Sequence, residues 1–432
     1  MIWNEKIECA SSEELRAIQS ERLVKLVSYV YKNVPFYAKK MDEQGVKPSD
    51  IKSIDDIALL PFTTKNDLRD TYPFGLFAVP QSDIVRIHAS SGTTGKATVV
   101  GYTRNDLEIW ADCVARCMTM AGVTKDDIIQ IAYGYGLFTG GLGAHGGAEK
   151  IGAMVVPMST GNSKKLVTMM TDFGATAIAC TPSYLLHLSE VLADEGLLDK
   201  IKLKSAICGA EPWTEKMREE IEKRLNIKAY DIYGLSEVMG PGVACSCENN
   251  SGLHVCEDHF YPEIIDPVTL KPVAEGETGE LVFTTLTKEG LPLIRYRTKD
   301  LTSLTREKCD CGRTSARISR FKGRSDDMLI IRGVNVFPSQ VEAALLGVDE
   351  VSPHYMMIID RVNNLDTLEI QLEVNEKYYS DEVKGVEKLT KKLSTIITQA
   401  LGISAKITLM GPGALKRSEG KAVHVTDKRK LY

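Results

Sequence analysis

Three patterns of hydrophobic and polar positions follow one another along the 432-residue chain. Near the N-terminus, apolar residues recur at helical spacing behind the Ser-Ser-Glu-Glu segment at 11–14, which is typical of a helix cap. From about residue 84, short apolar runs alternate with amphipathic stretches, and this alternation favours a parallel sheet with crossover helices. The predicted strands are 84–87, 128–132, 153–156, 177–180, 205–208 and 229–233, and the predicted helices between them are 105–121, 164–173, 184–195 and 214–225.

The pattern changes again in the last third of the chain. Residues 260–305 are β-rich. After the segment at 323–327 comes a short α+β region, whose first helix is predicted to begin near Pro338. We therefore predict an α/β fold with a large N-terminal domain at 1–325 and a small α+β domain at 326–432. The large domain is expected to combine mixed and parallel sheets, crossover helices and a β-rich subdomain.

Composition and charge narrow the functional classes. With 43% hydrophobic and 26% charged residues, the chain is typical of a globular protein rather than a disordered, collagen-like or coiled-coil chain. No run approaches the roughly 18 apolar residues of a membrane span, and the start of the chain has no secretory signal pattern. A net charge of −5 argues against a nucleic-acid partner. Ten cysteines without an export signal indicate the reducing cytoplasm, and a homodimer is the default assembly.

A segment rich in glycine, serine and threonine follows the first predicted strand and ends in a lysine. Glycines let the backbone wrap around an anion, to which N–H groups, hydroxyls and an ammonium can all donate. The segment predicts a phosphate-binding loop. It is not a Walker A loop, because a serine stands at the position of the first glycine and Ala97 follows the lysine. A flexible surface turn is the alternative for such a segment on its own. The residues of the predicted loop are Ser90, Ser91, Gly92, Thr93, Thr94, Gly95 and Lys96.

Four further segments strengthen the phosphate-loop interpretation when they are taken together. Tyr-Gly-Leu-Ser-Glu at 233–237 follows a predicted strand, and Tyr-Arg-Thr-Lys-Asp at 296–300 ends a β-rich stretch. Gly-Arg-Ser-Asp-Asp at 323–327 stands at the domain junction, and Ser-Glu-Gly-Lys at 418–421 lies near the C-terminus. Each alone is typical of a solvated loop. In this order they resemble the superfamily of adenylate-forming enzymes, which contains acyl-CoA synthetases, nonribosomal adenylation domains and luciferases.

This resemblance implies the use of ATP and Mg²⁺ and a role for most of these residues. The loop at 90–96 is expected to grip the β- and γ-phosphates. Because Mg²⁺ prefers carboxylate oxygen, Glu237 is the expected magnesium ligand, and Asp300 is expected to accept both ribose hydroxyls. Lys421 is expected to bridge the substrate carboxylate and the α-phosphate, with an exposed basic tail as the alternative. The other candidates for binding ATP or AMP are Gly209, Ala210, Glu211, Pro212, Asp231, Tyr233, Gly234, Ser236 and Arg324.

Three longer segments, at 133–145, 257–267 and 327–340, resemble one family of that superfamily, the phenylacetate–CoA ligases. This resemblance implies a mobile C-terminal domain with a hinge at Asp326. An aromatic wall beside small residues suits the flat ring of an aryl acid, and ordinary core packing is the alternative. The candidate acid pocket consists of Tyr135, Gly136, Phe138, Gly141, Ala144 and His145. The candidate lining of the tunnel for coenzyme A is Arg332, Gly333, Val334 and Asn335.

The cysteines form two candidate metal half-sites. Three cysteines and two histidines cluster at 245–259, and a tight Cys-Asp-Cys-Gly-Arg turn follows at 309–313. Together they could complete a tetrahedral Zn²⁺ site, which four protein ligands would make structural. Some members of the ligase family resemble this region, which selects Cys247, His254, Cys309 and Cys311. Cys245 and Cys256 are the leading substitutes, and free thiols in a loop are the alternative.

As a whole, the resemblance implies an ATP-dependent ligase that joins an aryl acid, first of all phenylacetate, to coenzyme A through an acyl adenylate. AMP and pyrophosphate are the expected products, and neither nucleic acid nor membrane is an expected partner. Three alternatives stay open. One is a relative that activates another aryl or aliphatic acid, or passes the acyl group to a carrier protein. The second is a kinase or ATPase, against which the missing Walker A loop argues. The third is a zinc-stabilised binding module without catalysis.

Overall fold

The computed structural model describes residues 1–90, 97–211, 213–325, 329–332, 334–362, 365–378, 383–415 and 424–429. Within these ranges, no helix has the length and apolar character that a membrane crossing requires. The α-helices are α1 (Glu5–Glu8), α2 (Ser12–Asn33), α3 (Pro35–Glu43), α4 (Lys65–Asp70), α5 (Arg104–Met120), α6 (Gly140–Ile151), α7 (Ser163–Phe173), α8 (Pro182–Asp194), α9 (Glu215–Leu225), α10 (Pro338–Leu345) and α11 (Val383–Leu401).

The strands follow in the same order along the chain. They are β1 (Arg86–Ser90), β2 (Thr98–Tyr102), β3 (Ile128–Ile131), β4 (Met154–Pro157), β5 (Ala177–Cys180), β6 (Ser205–Gly209), β7 (Lys228–Leu235), β8 (Gly240–Ser246), β9 (Leu253–Val255), β10 (Phe260–Ile265), β11 (Gly279–Thr285), β12 (Tyr296–Thr302), β13 (Leu304–Thr305), β14 (Arg317–Ile318), β15 (Gly323–Arg324), β16 (Leu329–Ile331), β17 (Val334–Val336), β18 (Val351–Val362), β19 (Leu365–Val374), β20 (Lys406–Met410) and β21 (Val425–Asp427).

The chain divides into two compact units. The first contains Met1–Ala210 and Ile221–Phe321, and the second contains Glu211–Glu220 and Lys322–Tyr432. Each unit has its own cluster of buried apolar side chains. Nothing in the sequence pattern had indicated that the short segment Glu211–Glu220 groups with the C-terminal part of the chain.

A nine-stranded sheet forms the centre of the first unit, in the order β13-β14-β9-β8-β7-β6-β5-β3-β4. The strands from β7 to β4 run parallel, as the alternation of apolar runs and helices predicts. The pairing turns antiparallel between β7 and β8. In open α/β sheets ligands bind outside the carboxyl ends of the strands, so the end of β7 is the expected place for a site.

One predicted strand does not join the parallel sheet. The run at 84–87 contributes to β1, which instead pairs antiparallel with β2, from Arg86 opposite Tyr102 to Ser90 opposite Thr98. Ile87 is 43% exposed, whereas His88 is buried. A strand with one exposed face does not suit a parallel sheet that is covered on both faces. The prediction that residues 84–87 join the parallel sheet is therefore wrong.

Other local predictions are confirmed. The hydroxyl of Ser11 accepts from the N–H of Glu14, whose carboxylate accepts from the N–H of Ser11, so a capping box starts α2. Strands β10, β11 and β12 form the predicted β-rich region as an antiparallel set. In the second unit, α10 begins at Pro338 as expected, and the strand order β20-β19-β18-β21 completes its α+β core.

Small residues bring α6 close against α5. A Cβ added at Gly143 would lie 2.4 Å from the ring of Trp110, and one added at Gly147 would lie 2.3 Å from Cγ1 of Val114. Only glycine permits this approach, because any side chain at these positions would have to displace its neighbour. The packing of α5 therefore fixes where α6 presents its own side chains.

Candidate active site

A tight reversal after β7 carries the predicted magnesium ligand. The pairing between β7 and β8 is irregular between Tyr233 and Gly234. A Cβ at Gly234 would lie 1.8 Å from the carbonyl oxygen of Gly240, so only glycine fits there. The backbone N–H groups of Val238 and Met239 both donate to the carbonyl of Leu235, which closes a single turn over 236–239. This turn places Glu237 at the carboxyl end of the parallel sheet.

Glu237 is 5% exposed, and its carboxylate faces two side chains from other elements. The Nζ atom of Lys65, at the start of α4, lies 3.4 Å from its Oε1, and the Oγ1 of Thr98 lies 3.4 Å from the same oxygen. The carboxylate oxygens are of the ligand type that Mg²⁺ prefers, and a cation bound here would compete with the Lys65 ammonium for Oε1. No motif of the sequence had singled out Lys65, and its position beside Glu237 became visible only in the structure.

Tyr233 and Asp300 meet, although they come from separate motifs. The Tyr233 hydroxyl donates to Oδ2 of Asp300 over 2.6 Å. The Tyr233 ring lies 4.4 Å from the ring centre of Phe321 and 6.4 Å from that of Phe283. Aromatic contacts therefore hold the tyrosine, and its hydroxyl orients a carboxylate that can accept hydrogen bonds from vicinal hydroxyls.

Several of the other candidates for binding ATP or AMP lie together at the ends of β6 and β7. Strands β6 and β7 pair in parallel, with Gly209 opposite Ile232 and Cys208 opposite Asp231. A Cβ at Gly209 would lie 2.1 Å from the carbonyl oxygen of Ile232, and Ala210 has a left-handed φ of 71°. The chain thus turns sharply out of β6 beside 231–233. Ser236 also lies here, with its Oγ 3.1 Å from Oγ1 of Thr139. Glu211 belongs to the second unit.

The candidate acid pocket contains a tyrosine–histidine pair. The Tyr135 hydroxyl lies 3.2 Å from Nδ1 of His145, with the rings nearly perpendicular at 88°. The Nε2 of His145 lies 3.0 Å from Oε1 of Glu149, so both ring nitrogens have protein partners. Burial and the nearby Glu149 carboxylate raise the pKa of Tyr135 to about 12, so its hydroxyl stays protonated.

The other pocket candidates differ in exposure. Ala144 is buried and Phe138 is 52% exposed. A Cβ at Gly141 would lie 2.6 Å from the carbonyl oxygen of Gly134, whereas one at Gly136 would meet open space. Gly141 is therefore required by close backbone packing, and Gly136 is not.

The four predicted zinc ligands come together. Sγ of Cys247 lies 3.7 Å from Sγ of Cys309, Sγ of Cys311 lies 3.4 Å from Nε2 of His254, and all four ligand atoms lie within 4.8 Å of one another. Tetrahedral Zn²⁺ with Zn–S bonds of about 2.3 Å needs ligand atoms about 3.8 Å apart, so this donor set fits the ion. Cys245 and Cys256, the predicted substitutes, bond elsewhere, to the carbonyls of Cys117 and Gly242 respectively.

The protonation of His254 and Cys309 suits a metal, whereas burial raises the pKa of the Cys247 thiol to about 12. Burial, followed by the charges of Arg313 and Arg317, lowers the pKa of His254 to about 3, which keeps the imidazole neutral. Its Nδ1 lies 3.1 Å from Oγ of Ser315, which orients the ring. Burial raises the pKa of the Cys309 thiol, but hydrogen bonds from its surroundings outweigh burial and bring that pKa down to about 7.

Several predicted residues lie outside the described part of the chain. They are Ser91, Gly92, Thr93, Thr94, Gly95, Lys96, Pro212, Asp326, Gly333 and Lys421, together with the side chains of Ser90, Val334 and Asn335. Two other candidates are described in the second unit. Arg324 lies in β15 and is half-buried, and the guanidinium of Arg332 donates to Oγ of Ser404 over 3.1 Å.

Comparisons with known proteins extend this picture. The sequence model of the family described as "AMP-binding enzyme" matches residues 8–286, and that of the "AMP-binding enzyme C-terminal domain" matches residues 333–429. The phenylacetate-coenzyme A ligase of Escherichia coli (strain K12) is 51% identical over 437 residues, which cover 100% of this chain and 99% of that protein.

Two crystal structures of 2-hydroxyisobutyryl-CoA ligase are also similar. One, in the postadenylation state with R3-HIB-AMP, has a TM-score of 0.93 at 31% identity and covers 99% of this chain and 92% of that chain. The other, with 2-HIB-AMP and CoA in the thioesterification state, has a TM-score of 0.74 at 32% identity and covers 99% and 93%.

Proposed function

The chain belongs to the AMP-binding enzyme family, and on this premise we propose that it is an AMP-forming ligase that joins phenylacetate to coenzyme A. The observation that carries the proposal lies at the carboxyl end of β7, where the turn holds the buried Glu237 and where Tyr233 donates to Asp300. The turn offers a cation ligand, and the bonded pair offers a ribose acceptor. The similar ligase from E. coli supports phenylacetate as the acid.

In the first half-reaction, the acid carboxylate attacks the α-phosphorus of ATP. The bond to the bridging oxygen breaks, and pyrophosphate leaves with the electron pair, which gives the acyl adenylate. Asp300, oriented by Tyr233, would accept the ribose hydroxyls, and the adenine would lie along Gly209, Ala210 and 231–233. When bound, Mg²⁺ neutralises charge on the phosphates, and Glu237 is the residue that would hold it.

Two further groups would act on the phosphates. The glycine-rich loop at 90–96 would bind the β- and γ-phosphates, and Lys421 would bridge the attacking carboxylate and the α-phosphate, where negative charge develops. This part of the proposal rests on the resemblance of the two motifs, Ser-Ser-Gly-Thr-Thr-Gly-Lys and Ser-Glu-Gly-Lys. Arg324 would contact the ribose or a phosphate.

The acid would lie along the segment at 133–148. Tyr135 would supply an aromatic wall whose orientation His145 maintains, while Gly141 and Ala144 leave room for a flat ring. Phe138, which is 52% exposed, would cover the ring when the acid is bound. Shielding the adenylate from water between the two steps is needed because it is a reactive mixed anhydride.

In the second half-reaction, the coenzyme A thiolate attacks the adenylate carbonyl and AMP leaves with its electron pair. Arg332, Gly333, Val334 and Asn335 would line the path of the pantetheine arm. We propose a domain boundary between residues 325 and 326 with a hinge at Asp326, so that one small domain serves both half-reactions.

Exchange of labelled pyrophosphate into ATP, measured without coenzyme A across a panel of acids, tests the function. We expect strong exchange with phenylacetate and weak exchange with benzoate, 4-hydroxyphenylacetate, indoleacetate and 2-hydroxyisobutyrate. Exchange with another acid alone would keep the adenylation chemistry and contradict the substrate. No exchange with any acid, in protein supplied with Mg²⁺ and Zn²⁺, would contradict the function.

We further propose a structural Zn²⁺ held by Cys247, His254, Cys309 and Cys311. The ion would tie the loop after β8 to the turn at 309–313, and it would leave no open coordination position for catalysis. The geometry of the four donors and the neutral state of His254 support it.

Metal analysis of the purified chain tests the zinc proposal. We expect about one zinc per chain, loss of most of it in Cys309→Ser, and full retention in the matched control Cys245→Ser, whose thiol bonds to Cys117 instead. A zinc content well under one per chain, or equal loss in both variants, would contradict the assignment.

All ten cysteines are free, which supports a cytoplasmic location for the protein. The proposed homodimer would be tested by sedimentation of the purified chain.

A further inference from the structure

Lys288 is a lysine buried inside the first unit, next to the turn at 236–239. It is 1% exposed. Its Nζ donates to the carbonyl oxygens of Glu237 over 3.3 Å and Val238 over 2.9 Å. It also lies 4.6 Å from the ring centre of Tyr102. Among the described residues, two carbonyls and a ring face bind this ammonium, and no carboxylate lies within ion-pair distance.

Tyr102 completes the hold on the same turn. Its hydroxyl donates to the carbonyl of Met239 over 2.7 Å and lies 3.3 Å from that of Ser236. The carbonyls of all four turn residues therefore point at Lys288 or Tyr102. Carbonyl oxygens carry partial negative charge, so a buried ammonium is a favourable partner for those of this turn. The backbone of Glu237 cannot rotate without breaking these bonds.

Charged and titratable groups face Lys288 from each element packed around it. Asp106 comes from α5, Glu237 from the turn itself, His88 from β1 and Tyr102 from β2. Burial lowers the pKa of Lys288 to about 8, against the opposite influence of Asp106 and Glu237. Burial also lowers the pKa of His88 and raises that of Tyr102 well above its usual value.

We propose that Lys288 is a positioning residue, which holds the backbone of the 236–239 turn so that the Glu237 carboxylate is aimed for binding Mg²⁺ with ATP. The inference rests on the proposed function, because Glu237 is the magnesium ligand only in that scheme. The ammonium does not touch the substrate. It acts through two carbonyls, one of which belongs to the ligand residue itself.

A buried charge without a carboxylate partner is a poor choice for stability alone. An apolar side chain of similar length would fill this space without the cost of burying a charge. A structural role predicts that removing the ammonium lowers stability, while a positioning role predicts that it mainly weakens Mg²⁺ binding. The two roles can therefore be separated by measuring both properties on the same variant.

Lys288→Met is the first test variant, because methionine keeps the length of the apolar stem and removes the charge. We expect its apparent Mg²⁺ requirement for ATP binding, followed by calorimetry at pH 7.5, to rise about tenfold. We expect its thermal unfolding midpoint to stay within a few degrees of the unmodified chain. Lys288→Gln keeps a neutral hydrogen-bond donor, so its Mg²⁺ requirement should lie between those of the unmodified chain and Lys288→Met. This variant replaces Lys288→Met if the latter does not fold.

Gln130→Met is the matched control. Gln130 is fully buried in β3 and donates to the carbonyl of Leu166 over 3.0 Å, so this change also removes a buried donor from a backbone carbonyl. Its Mg²⁺ requirement should not change. A tenfold rise in this control as well would mean that any buried polar loss disturbs the site, and it would overturn the proposal.

An Mg²⁺ requirement in Lys288→Met that equals that of the unmodified chain would overturn the inference. Failure of the proposed function is seen separately, as the lack of pyrophosphate exchange with every acid while Mg²⁺-dependent ATP binding still differs between the variants.

Discussion

At the scale of single residues, the two carboxylates of the candidate site, Glu237 and Asp300, each contact a side chain from another part of the chain. Neither contact could be predicted from the motif that contains the carboxylate. Glu237 lies beside Lys65, which comes from the N-terminal part of the chain. Asp300 accepts from Tyr233, and both belong to recognised motifs whose contact was not predicted. The site therefore depends on pairs of residues rather than on the motif residues one by one.

The bond between Tyr233 and Asp300 can be removed without removing either ring contact of the tyrosine. Tyr233→Phe keeps the packing on Phe321 and Phe283 and deletes the 2.6 Å hydrogen bond. A charge-assisted bond contributes about 1.5–3 kcal/mol, so we expect the KM for ATP to rise about tenfold or more. Steady-state kinetics with varied ATP check this.

The control for that variant is Tyr230→Phe, a hydroxyl deletion on the same strand that leaves the Asp300 bond in place. Its KM for ATP should stay within about twofold of the unmodified chain, since a change of that size corresponds to under ~0.5 kcal/mol. Equal rises in both variants would mean that β7 as a whole, and not the orientation of Asp300, controls nucleotide binding.

Lys288 also predicts how stability depends on pH. Its pKa is about 8 in the folded chain, against an ordinary value of 10.5. Between these values the unfolded chain binds more protons than the folded chain, so the free energy of unfolding rises with pH. Relative to Lys288→Met, which does not titrate, the unmodified chain should gain roughly 3 kcal/mol between pH 8 and pH 10.5. Urea unfolding of both at several pH values measures this, and a constant difference would contradict the lowered pKa.

The sequence motifs pointed to the candidate residues but not to the side chains that contact them. Glu237 and Asp300 stand in motifs with a recognisable order, and the four predicted zinc ligands belong to cysteine clusters with metal-like spacing. Lys65 and Lys288 carried no such signal, because a lysine is solvated in most settings. Whether it is buried depends on which elements pack around it, and that is a property of the tertiary fold.

At the scale of elements, the strands and helices were largely predictable because apolar runs and helical periods are local signals. The pairing partner of β1 was not predictable in this way. Residues 84–87 read like the buried strands that follow, yet β1 forms a two-stranded antiparallel pair with β2. Which sheet a strand joins depends on residues far along the chain, and single-sequence periodicity does not contain that information.

The contact between α5 and α6 gives a prediction at this scale. Gly147→Ala would place a Cβ 2.3 Å from Val114, so we expect a loss of about 1–3 kcal/mol in the free energy of unfolding despite the better helix propensity of alanine. Because α6 carries Ala144 and His145, the KM for the acid should rise as the helix shifts. Chemical denaturation and steady-state kinetics measure the two effects.

Gly146→Ala is the matched control in the same helix. A Cβ there would meet only Cβ of Ala111, at 3.9 Å, which is ordinary van der Waals contact. We expect this variant to gain about 0.5–1 kcal/mol of stability from helix propensity alone, with an unchanged KM for the acid. If both substitutions destabilise equally, backbone strain in α6 rather than its approach to α5 would be the cause.

At the scale of the whole molecule, one chain is proposed to catalyse two half-reactions that need different groups. Adenylation needs a positively charged side chain at the point where the substrate carboxylate attacks the α-phosphate. Thioester formation needs a path for the pantetheine arm of coenzyme A. The 2-hydroxyisobutyryl-CoA ligase was solved in postadenylation and thioesterification states, so that similar enzyme has a distinct state for each step. We expect the same division in this chain, with Lys421 assigned to the first step only.

Lys421→Ala tests that division. Loss of a preorganised donor to a developing charge typically costs about 10²–10³ in rate, so acid-dependent pyrophosphate exchange should fall by that factor. Conversion of presynthesised phenylacetyl adenylate to phenylacetyl-CoA should stay within about threefold, because Lys421 contributes no charge stabilisation to that step. Lys406→Ala, which removes another lysine from the C-terminal unit, should leave both rates unchanged. Equal loss of both half-reactions in Lys421→Ala would show that the lysine supports the whole domain rather than one chemical step, and the assignment of separate roles would then be wrong.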